Sequence, residues 1–350
     1  MSIEPAEAAF DAGGTPFSPR YDDVYHSAGG GPAQARHVFL GGNALPARWA
    51  HAESFVILET GFGLGINFLT TWQAWGEDAA RPRRLHYVAI EKHPFTSADL
   101  ARLHAGYPEL APHAAELRAG WPPLTAGLHR LRLAGGAVVL TLAFGDIAQL
   151  LPSLRLAADA IYLDGFSPAK NPQMWAPPLL KRLARLARPQ ATLATYTSAG
   201  EVRRALEAAG FAVDKRAGFG RKREMLAARY APRWSLRHPP LVATPAPQRH
   251  ALVIGGGIAG AAIAARLAGR GWRIDLVEQR DPRAFAAGAR LAGVFHPHVS
   301  HDDCVLSRAA RNACLHALAQ WSRLEAAGYR FAWARCGVLQ IDEAGGWTPA

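Results

Sequence analysis

Four acidic residues stand where chemistry could be done. Glu59 precedes three glycines at alternate positions, Gly61, Gly63 and Gly65, with Asn67 just behind them. Glu91, Asp146 and Asp164 each close a later apolar run. Glycine lets a backbone turn sharply or approach a ligand closely. The spacing G-x-G-x-G lacks the extra residue of a dinucleotide loop. An acid ahead of it suits a cofactor with cationic sulfonium and amino groups and no pyrophosphate, S-adenosylmethionine. An ordinary strand-to-helix turn is the alternative. Glu91 is placed to accept hydrogen bonds from two ribose hydroxyls, or is a surface acid. Asp146 is placed to meet an adenine amino group, or is a turn aspartate.

Asp164 opens an unusual run, Asp164-Gly165-Phe166-Ser167-Pro168-Ala169-Lys170-Asn171-Pro172-Gln173-Met174-Trp175. Two prolines stiffen it. An acid, an amide and aromatics suit a planar, hydrogen-bonding acceptor that bears an amine; a rigid structural connection is the alternative. A second glycine loop, Gly255-Gly256-Gly257-Ile258-Ala259-Gly260, has the spacing G-x-G-x-x-G. It follows an apolar run, and Glu278 closes the next one. That is a dinucleotide fingerprint, in which Gly255, Gly257 and Gly260 admit a pyrophosphate and Glu278 holds a ribose. Glu278 disfavours a 2′-phosphate, so FAD or NAD is expected rather than NADP.

These residues need strands to end on. Phe55–Leu58, 85–90, 137–144, 160–163 and 191–196 read as buried strands of a parallel sheet, with helices over 67–75, 97–118 and 177–186. Ser198 with Glu201 forms an S-x-x-E capping box for a helix ending at Gly210. The segments 211–213 and 218–227 form an antiparallel finish. The roles of 20–25 and 37–43 stay open between a cover over the ligand pocket and an edge extension. Prolines between 231 and 249 read as a linker. The expected fold class is α/β: a Rossmann-like domain over 1–230, the linker 231–249, and the start of a second Rossmann domain over 250–350.

The 350 residues carry a net charge of +11. From Lys181 to Arg237 there are 14 Lys and Arg against four Asp and Glu, so nearly all the excess lies in one segment. Such a cluster points to a polyanionic partner, with a solvated basic face as the alternative. No run of about 18 or more apolar residues is present, so no membrane helix is expected. Cys304, Cys314 and Cys336 form no CxxC pair, which argues against a zinc site and fits a reducing cytoplasm.

Together these stretches resemble a bacterial family, the bifunctional tRNA 5-methylaminomethyl-2-thiouridine biosynthesis proteins. The resemblance rests on Glu59–Leu69, on Leu163–Pro172 with its D-G-F-x-P-A-K-N-P run, on Thr195–Gly200 and on Gly218–Met225. It continues through the second glycine loop to Gly293–Pro297 and Cys336–Gln340. It departs at 287–292, where the family has an Ala-Ser-Gly-Asn-like segment. The chain also stops at Ala350, well short of the family's oxidoreductase half, so oxidoreductase activity is expected to be missing from this polypeptide.

The resemblance implies a methyltransferase domain using S-adenosylmethionine and a D-amino-acid-oxidase-type domain using FAD. Both act on the wobble uridine in the anticodon stem-loop of tRNA. The FAD half would remove the carboxymethyl group of 5-carboxymethylaminomethyluridine; the other half would methylate the exposed amine. Asp164 is the expected catalytic residue, orienting the amine and taking its proton. Phe166, Trp175 or Tyr196 would stack on the uracil, beside Asn171. Lys170, Arg221, Lys222 and Arg223 would hold phosphates. A cytoplasmic monomer without membrane or metal is expected. Rival readings are a small-molecule amine methyltransferase fused to an oxidoreductase, an RNA-binding protein with vestigial cofactor sites, and an oxidase with an RNA-guiding N-terminal half.

Overall fold

Alternate residues of the strand Ser54–Glu59 enter different cores, because successive side chains of a strand point to opposite faces. Ile57 packs with Phe39, Phe68, Tyr87 and Leu140, while Leu58 packs with Ile90, Ile161, Leu180 and Leu193. A strand buried on both faces must be continuously apolar, as this one is. The computed structural model of the chain describes residues 3–234, 240, 248–279, 294–337, 339–341 and 347–349. Most of the proline-rich linker, the 287–292 segment, Gly293 and Val338 lie outside the described residues.

Three short strands lead in, β1 (Ala9–Phe10), β2 (Pro16–Ser18) and β3 (Asp23–Val24), followed by the helix α1 (Gly31–Gln34) and a wide π-helical segment, Ala35–Gly41. An eight-stranded sheet follows, built from β4 (Ser54–Glu59), β5 (Arg84–Glu91), β6 (Gly127–Leu133), β7 (Val138–Phe144), β8 (Ala158–Tyr162), β9 (Ala187–Thr195), β10 (Phe211–Ala217) and β11 (Glu224–Tyr230). Its order is β10-β11-β9-β8-β4-β5-β7-β6. The five strands from β9 to β7 are parallel, and β6, β10 and β11 are antiparallel additions at the two edges. The chain winds outward from β4 through β5 to β7, then returns to the other side of β4 as β8. The switch point therefore lies between β4 and β8, where open α/β sheets bind ligands.

The connecting helices are α2 (Ile66–Glu77), α3 (Ser97–His104), α4 (Ala111–Ala119), α5 (Ile147–Leu150), α6 (Pro177–Ala184) and α7 (Gly200–Ala208). Three local expectations are corrected. The helix expected over 97–118 divides into α3 and α4, because Gly106 ends the first and Pro108 starts a 3-10 turn before the second. The capping box at Ser198 does not form: α7 has no side-chain cap, and Thr197 Oγ1 instead accepts from the Ala199 amide at 3.3 Å. The strand β6 was not anticipated. It buries His129, Leu131 and Leu133 on one side while Leu128 and Arg130 stay exposed, a period-2 pattern masked by its basic residues.

Contacts divide the chain into two units, 1–241 with 297–350, and 242–296. In the first, a later helix, Val305–Ala326, packs against β6. The second is a βαβ unit: β12 (His250–Ile254) parallel to β13 (Arg273–Val277), joined by α8 (Ile258–Ala268). Among the described residues no helix is long and apolar enough to cross a membrane.

The 37–43 segment belongs to the core rather than to a cover. Val38 and Phe39 are buried, and Asn43 donates to Phe39 O while accepting from Thr192 Oγ1. Gly42 has ordinary helical backbone angles, but a Cβ there would lie 2.6 Å from Ala194 Cβ on β9. Gly42→Ala should therefore destabilise the fold by about 1–3 kcal/mol, the usual cost of overpacking. Thermal and urea denaturation would read this as a lowered midpoint; an unchanged midpoint would mean that the helical segment shifts freely off the sheet.

Candidate active site at the strand switch point

The ends of β4 and β8 are tied by one hydroxyl. Beyond the ladder, Thr60 N donates to Tyr162 O at 3.1 Å. Thr60 Oγ1 donates to Asp164 O at 2.7 Å and accepts from Asp164 N at 3.0 Å. Gly61 follows, where a Cβ would lie 3.3 Å from Asp164 O. Gly63 and Gly65 have φ of +51° and +76°, the left-handed region that favours glycine. Gly65 also sits under the Phe62 ring, 2.6 Å from where its Cβ would be, and serves as the N-cap of α2.

A cavity of about 960 Å³ opens over these strand ends. Within it Glu91 Oε2 accepts from the Gly63 amide and Oε1 from the His93 amide, both at 2.8 Å. Asp146 caps α5 through the Ala148 amide and pairs with Lys92 at 2.9 Å, as a turn aspartate would, while lining the cavity. Burial pushes its carboxyl up, but the Lys92 and amide hydrogen bonds outweigh that and hold it below the usual range. Acids, backbone amides and glycines fit a cofactor with ribose hydroxyls and cationic groups.

Asp164 lines the same cavity. Its Oδ1 accepts from the Gly165 amide at 2.8 Å and its Oδ2 from Asn67 Nδ2 at 2.7 Å. Burial pushes its carboxyl up to about 6, against the opposing pull of those hydrogen bonds and of the Lys222 charge. Phe166 is stacked on Tyr21, centroids 4.5 Å apart, with Tyr25 edge-on at 5.1 Å. Tyr196 donates to Gly165 O at 2.7 Å. Asn171 lines the cavity at the start of the Pro172–Trp175 turn.

Several expected roles change. Glu59 is fully buried behind Asn67 and is not among the residues lining the cavity. Trp175 is 4% exposed and donates to Phe166 O at 2.9 Å, which removes it as a stacking partner. Lys170 is ion-paired with Asp22 on the N-terminal segment. Lys222 departs from its basic neighbours: its ammonium turns into the cavity, 3.8 Å above the centre of the Tyr196 ring. Burial lowers its pKa, while Asp23 and Asp164 pull it back up. Arg221, Lys222 and Arg223 all keep exposed surface, and of the three Lys222 alone lines the cavity.

The N-terminal segment supplies residues that the sequence left open. Tyr21, Asp23 and Tyr25 line the cavity, and Asp23 Oδ2 accepts from the Ser167 amide at 2.9 Å. The segment is thus a cover over the pocket. Two tyrosines flanking two aspartates and a valine in 21–25 were the available signal. Thr60, hidden between an acid and a glycine, was missed.

In the βαβ unit, Gly255 has φ +96°, and a Cβ on Gly260 would lie 1.8 Å from Gly255 O. Glu278 Oε2 accepts from the Gly256 amide at 2.6 Å. Nothing lies within 4 Å of a Cβ built on Gly257, the N-cap of α8. This bare helix start fits a dinucleotide. Among the described residues no cluster of three or more His, Cys, Asp or Glu side chains could hold a metal.

Residues 108–231 match the family model of S-adenosyl-L-methionine-dependent methyltransferases, and 250–348 that of FAD dependent oxidoreductases. The two matches indicate S-adenosylmethionine and FAD as cofactors. The tRNA 5-methylaminomethyl-2-thiouridine biosynthesis bifunctional protein of Cupriavidus metallidurans is 57% identical over 344 residues, 97% of this chain and 51% of that protein. The Ralstonia nicotianae protein of the same name is 54% identical over 330 residues, 94% of this chain and 50% of that one. The chain thus spans about half the length of the curated relatives it matches. The crystal structure of MNMC2 from Aquifex aeolicus shares the fold, with a TM-score of 0.51 and 24% identity over 68% of this chain and 73% of that chain. Over the half of their length that it spans, the chain is similar to the tRNA 5-methylaminomethyl-2-thiouridine biosynthesis bifunctional proteins.

Proposed function

We propose that residues 1–230 methylate the amine of 5-aminomethyl-(2-thio)uridine at the wobble position of tRNA. Residues 231–249 link this domain to 250–350, part of an FAD-dependent oxidoreductase domain of the kind that, by family, first removes the carboxymethyl group from the same base. A cytoplasmic monomer is part of the same proposal. The observation that carries the reading is Asp164. It is a carboxylate held by Gly165 and Asn67 beside aromatic rings, lining the same cavity as Glu91.

Bound S-adenosylmethionine supplies an electrophilic methyl group on a sulfonium. The chain's own residues must deliver a neutral amine within about 3–3.5 Å of it and exclude water. Asp164 orients the amine and accepts its proton, directly or through water. Lys222, the cation facing Asp164, keeps that carboxylate ionised. Phe166 or Tyr196 stacks on the uracil. The hairpin β10–β11 exposes Arg216, Arg221 and Arg223 beside Phe219 and Lys222 of the cavity wall, a surface suited to RNA phosphates.

The direct test is methyl transfer from labelled S-adenosylmethionine into undermodified tRNA, followed by nucleoside analysis. Label found only on free amines would overturn the tRNA reading. Asp164→Asn should lower turnover by about 10²–10⁴ with cofactor affinity kept, since a base rather than a binding group is lost. In the wild type, turnover should fall as pH drops through about 6, where Asp164 takes up its proton. Lys222→Met should move that acid limb upward and leave the salt dependence of RNA binding alone. Arg221→Glu with Arg223→Glu should instead flatten the salt dependence, by about 0.7–0.9 in log–log slope for each phosphate no longer neutralised. A Lys222→Met variant that flattened the slope and kept its pH profile would return Lys222 to a phosphate role.

A further inference from the structure

Glu59 is a titratable group that the mechanism above does not use. It ends β4, is 0% exposed and sits behind the cavity wall. Its Oε1 accepts from Asn67 Nδ2 at 2.8 Å. The same Asn67 nitrogen donates to Asp164 Oδ2 at 2.7 Å, so one amide spans two carboxyl groups with its two hydrogens. Glu59 Oε2 is buried, and the polar group it meets is the equally buried Tyr87 hydroxyl of β5, too loosely placed for a well-formed hydrogen bond.

The groups facing Glu59 are all acidic or neutral. Asp164 lies beyond β8, Glu91 ends β5, Tyr87 and Tyr162 stand on the flanking strands, and Asn67 comes from α2. Among the described residues no ion pair involves Glu59. An ionised Glu59 would be a buried anion with two like charges nearby, an arrangement that neutralises itself by taking up a proton.

We propose that Glu59 is a neutral carboxylic acid that serves as a positioning residue: it holds the Asn67 amide in the orientation that presents a hydrogen to Asp164, and it does not bind the cofactor's cationic groups. With a proton on Oε2 the Tyr87 hydroxyl accepts instead of donating, so the pair stays satisfied without a buried charge. Burial, reinforced by the Asp164 charge, pushes the Glu59 carboxyl well above its ordinary range, in the same direction. Glu59 thereby shapes the catalytic carboxylate from one residue away without adding a second negative charge beside it.

The proposal rests on the methyltransferase reading only for its activity arm. Glu59→Gln keeps an acceptor for Asn67 and supplies an N–H where the proton would be. Its affinity for S-adenosylmethionine, by calorimetry without RNA, should stay within about twofold of wild type. A loss of tenfold or more would overturn the proposal, because it would mean that an anion binds the cofactor. The second arm is melting temperature against pH. The unfolded chain ionises Glu59 near its ordinary value while the folded chain keeps the proton, so wild-type stability falls as pH rises above that value. The advantage of Glu59→Gln over wild type should therefore grow from pH 4 to pH 7; a constant difference would mean that Glu59 is ionised in the fold.

The third arm is methylation itself. The acid limb near pH 6 should be unmoved in Glu59→Gln and should rise in Asn67→Leu, which deprives Asp164 of a donor. A downward shift in Glu59→Gln would show that a negative charge had been removed and would sink the idea. If wild-type protein does not methylate tRNA, the substrate reading fails while the calorimetric and melting arms still decide the state of Glu59.

Discussion

The site depends on the Thr60 hydroxyl. The ladder between β4 and β8 ends where Glu59 faces Tyr162. Past that point the two chains turn away, one into the glycine loop and one into the proline-stiffened loop, and no strand pairing holds them. Thr60 Oγ1 donates to the Asp164 carbonyl and accepts from the Asp164 amide, so one side chain replaces both halves of a missing ladder rung. Valine would match its shape but satisfy neither backbone group, and unpaired buried backbone groups are costly. Gly61 is then favoured as well, because the clasp brings Asp164 O to 3.3 Å from the position of its missing Cβ, a contact a side chain would crowd. The cofactor loop and the acceptor loop are thus registered to each other at a single point.

Around that clasp the cavity holds acids mostly on amides rather than on cations. Glu91 takes the Gly63 and His93 amides, Asp164 takes the Gly165 amide and the Asn67 side chain, and Asp23 takes the Val24 and Ser167 amides. Hydrogen bonds from N–H groups stabilise a carboxylate without cancelling its charge. The cavity therefore stays attractive to positive ligands, which is what a sulfonium cofactor and an amine acceptor require. Two cations are exceptions: Lys92, paired with Asp146, and Lys222, above the Tyr196 ring, where a cation is favoured by the negative face of the aromatic system.

What was legible in the sequence had local signals. Glycines after an apolar run that ends in an acid mark a strand-to-ligand turn, and Glu91, Asp146 and Asp164 lie at the strand ends where that pattern puts them. What was illegible needed partners far along the chain. Tyr21 covers the pocket only because Phe166 offers it a ring. Lys222 looked like the middle of a basic run, and its inward turn follows from the hairpin: Ala217 pairs with Glu224, leaving six residues in a loop so tight that a Cβ on Gly218 would lie 2.2 Å from Lys222 O. Trp175 read as a stacking aromatic, but the 3-10 turn after Pro172 buries it. Glu59 lies on the strand where the motif puts it, but a motif does not say whether its carboxyl lines the cavity, and here it does not.

The two glycine loops share a device and differ in what they leave bare. In each, an acid ending the next parallel strand accepts from a loop amide: Glu91 from Gly63 at 2.8 Å, Glu278 from Gly256 at 2.6 Å. In the first loop the helix begins at Ile66 behind a left-handed Gly65, and its second residue, Asn67, turns back to two carboxyl groups. Its surroundings are acidic, and an anion would be repelled. In the second loop α8 begins directly after Gly257, with only Ile258, Ala259 and Gly260 in its first turn and no side chain capping it. Its free amides and helix dipole favour negative charge. One residue of difference in glycine spacing thus accompanies opposite ligand preferences, because it decides whether the helix start is screened by a side chain facing acids or left open to a phosphate.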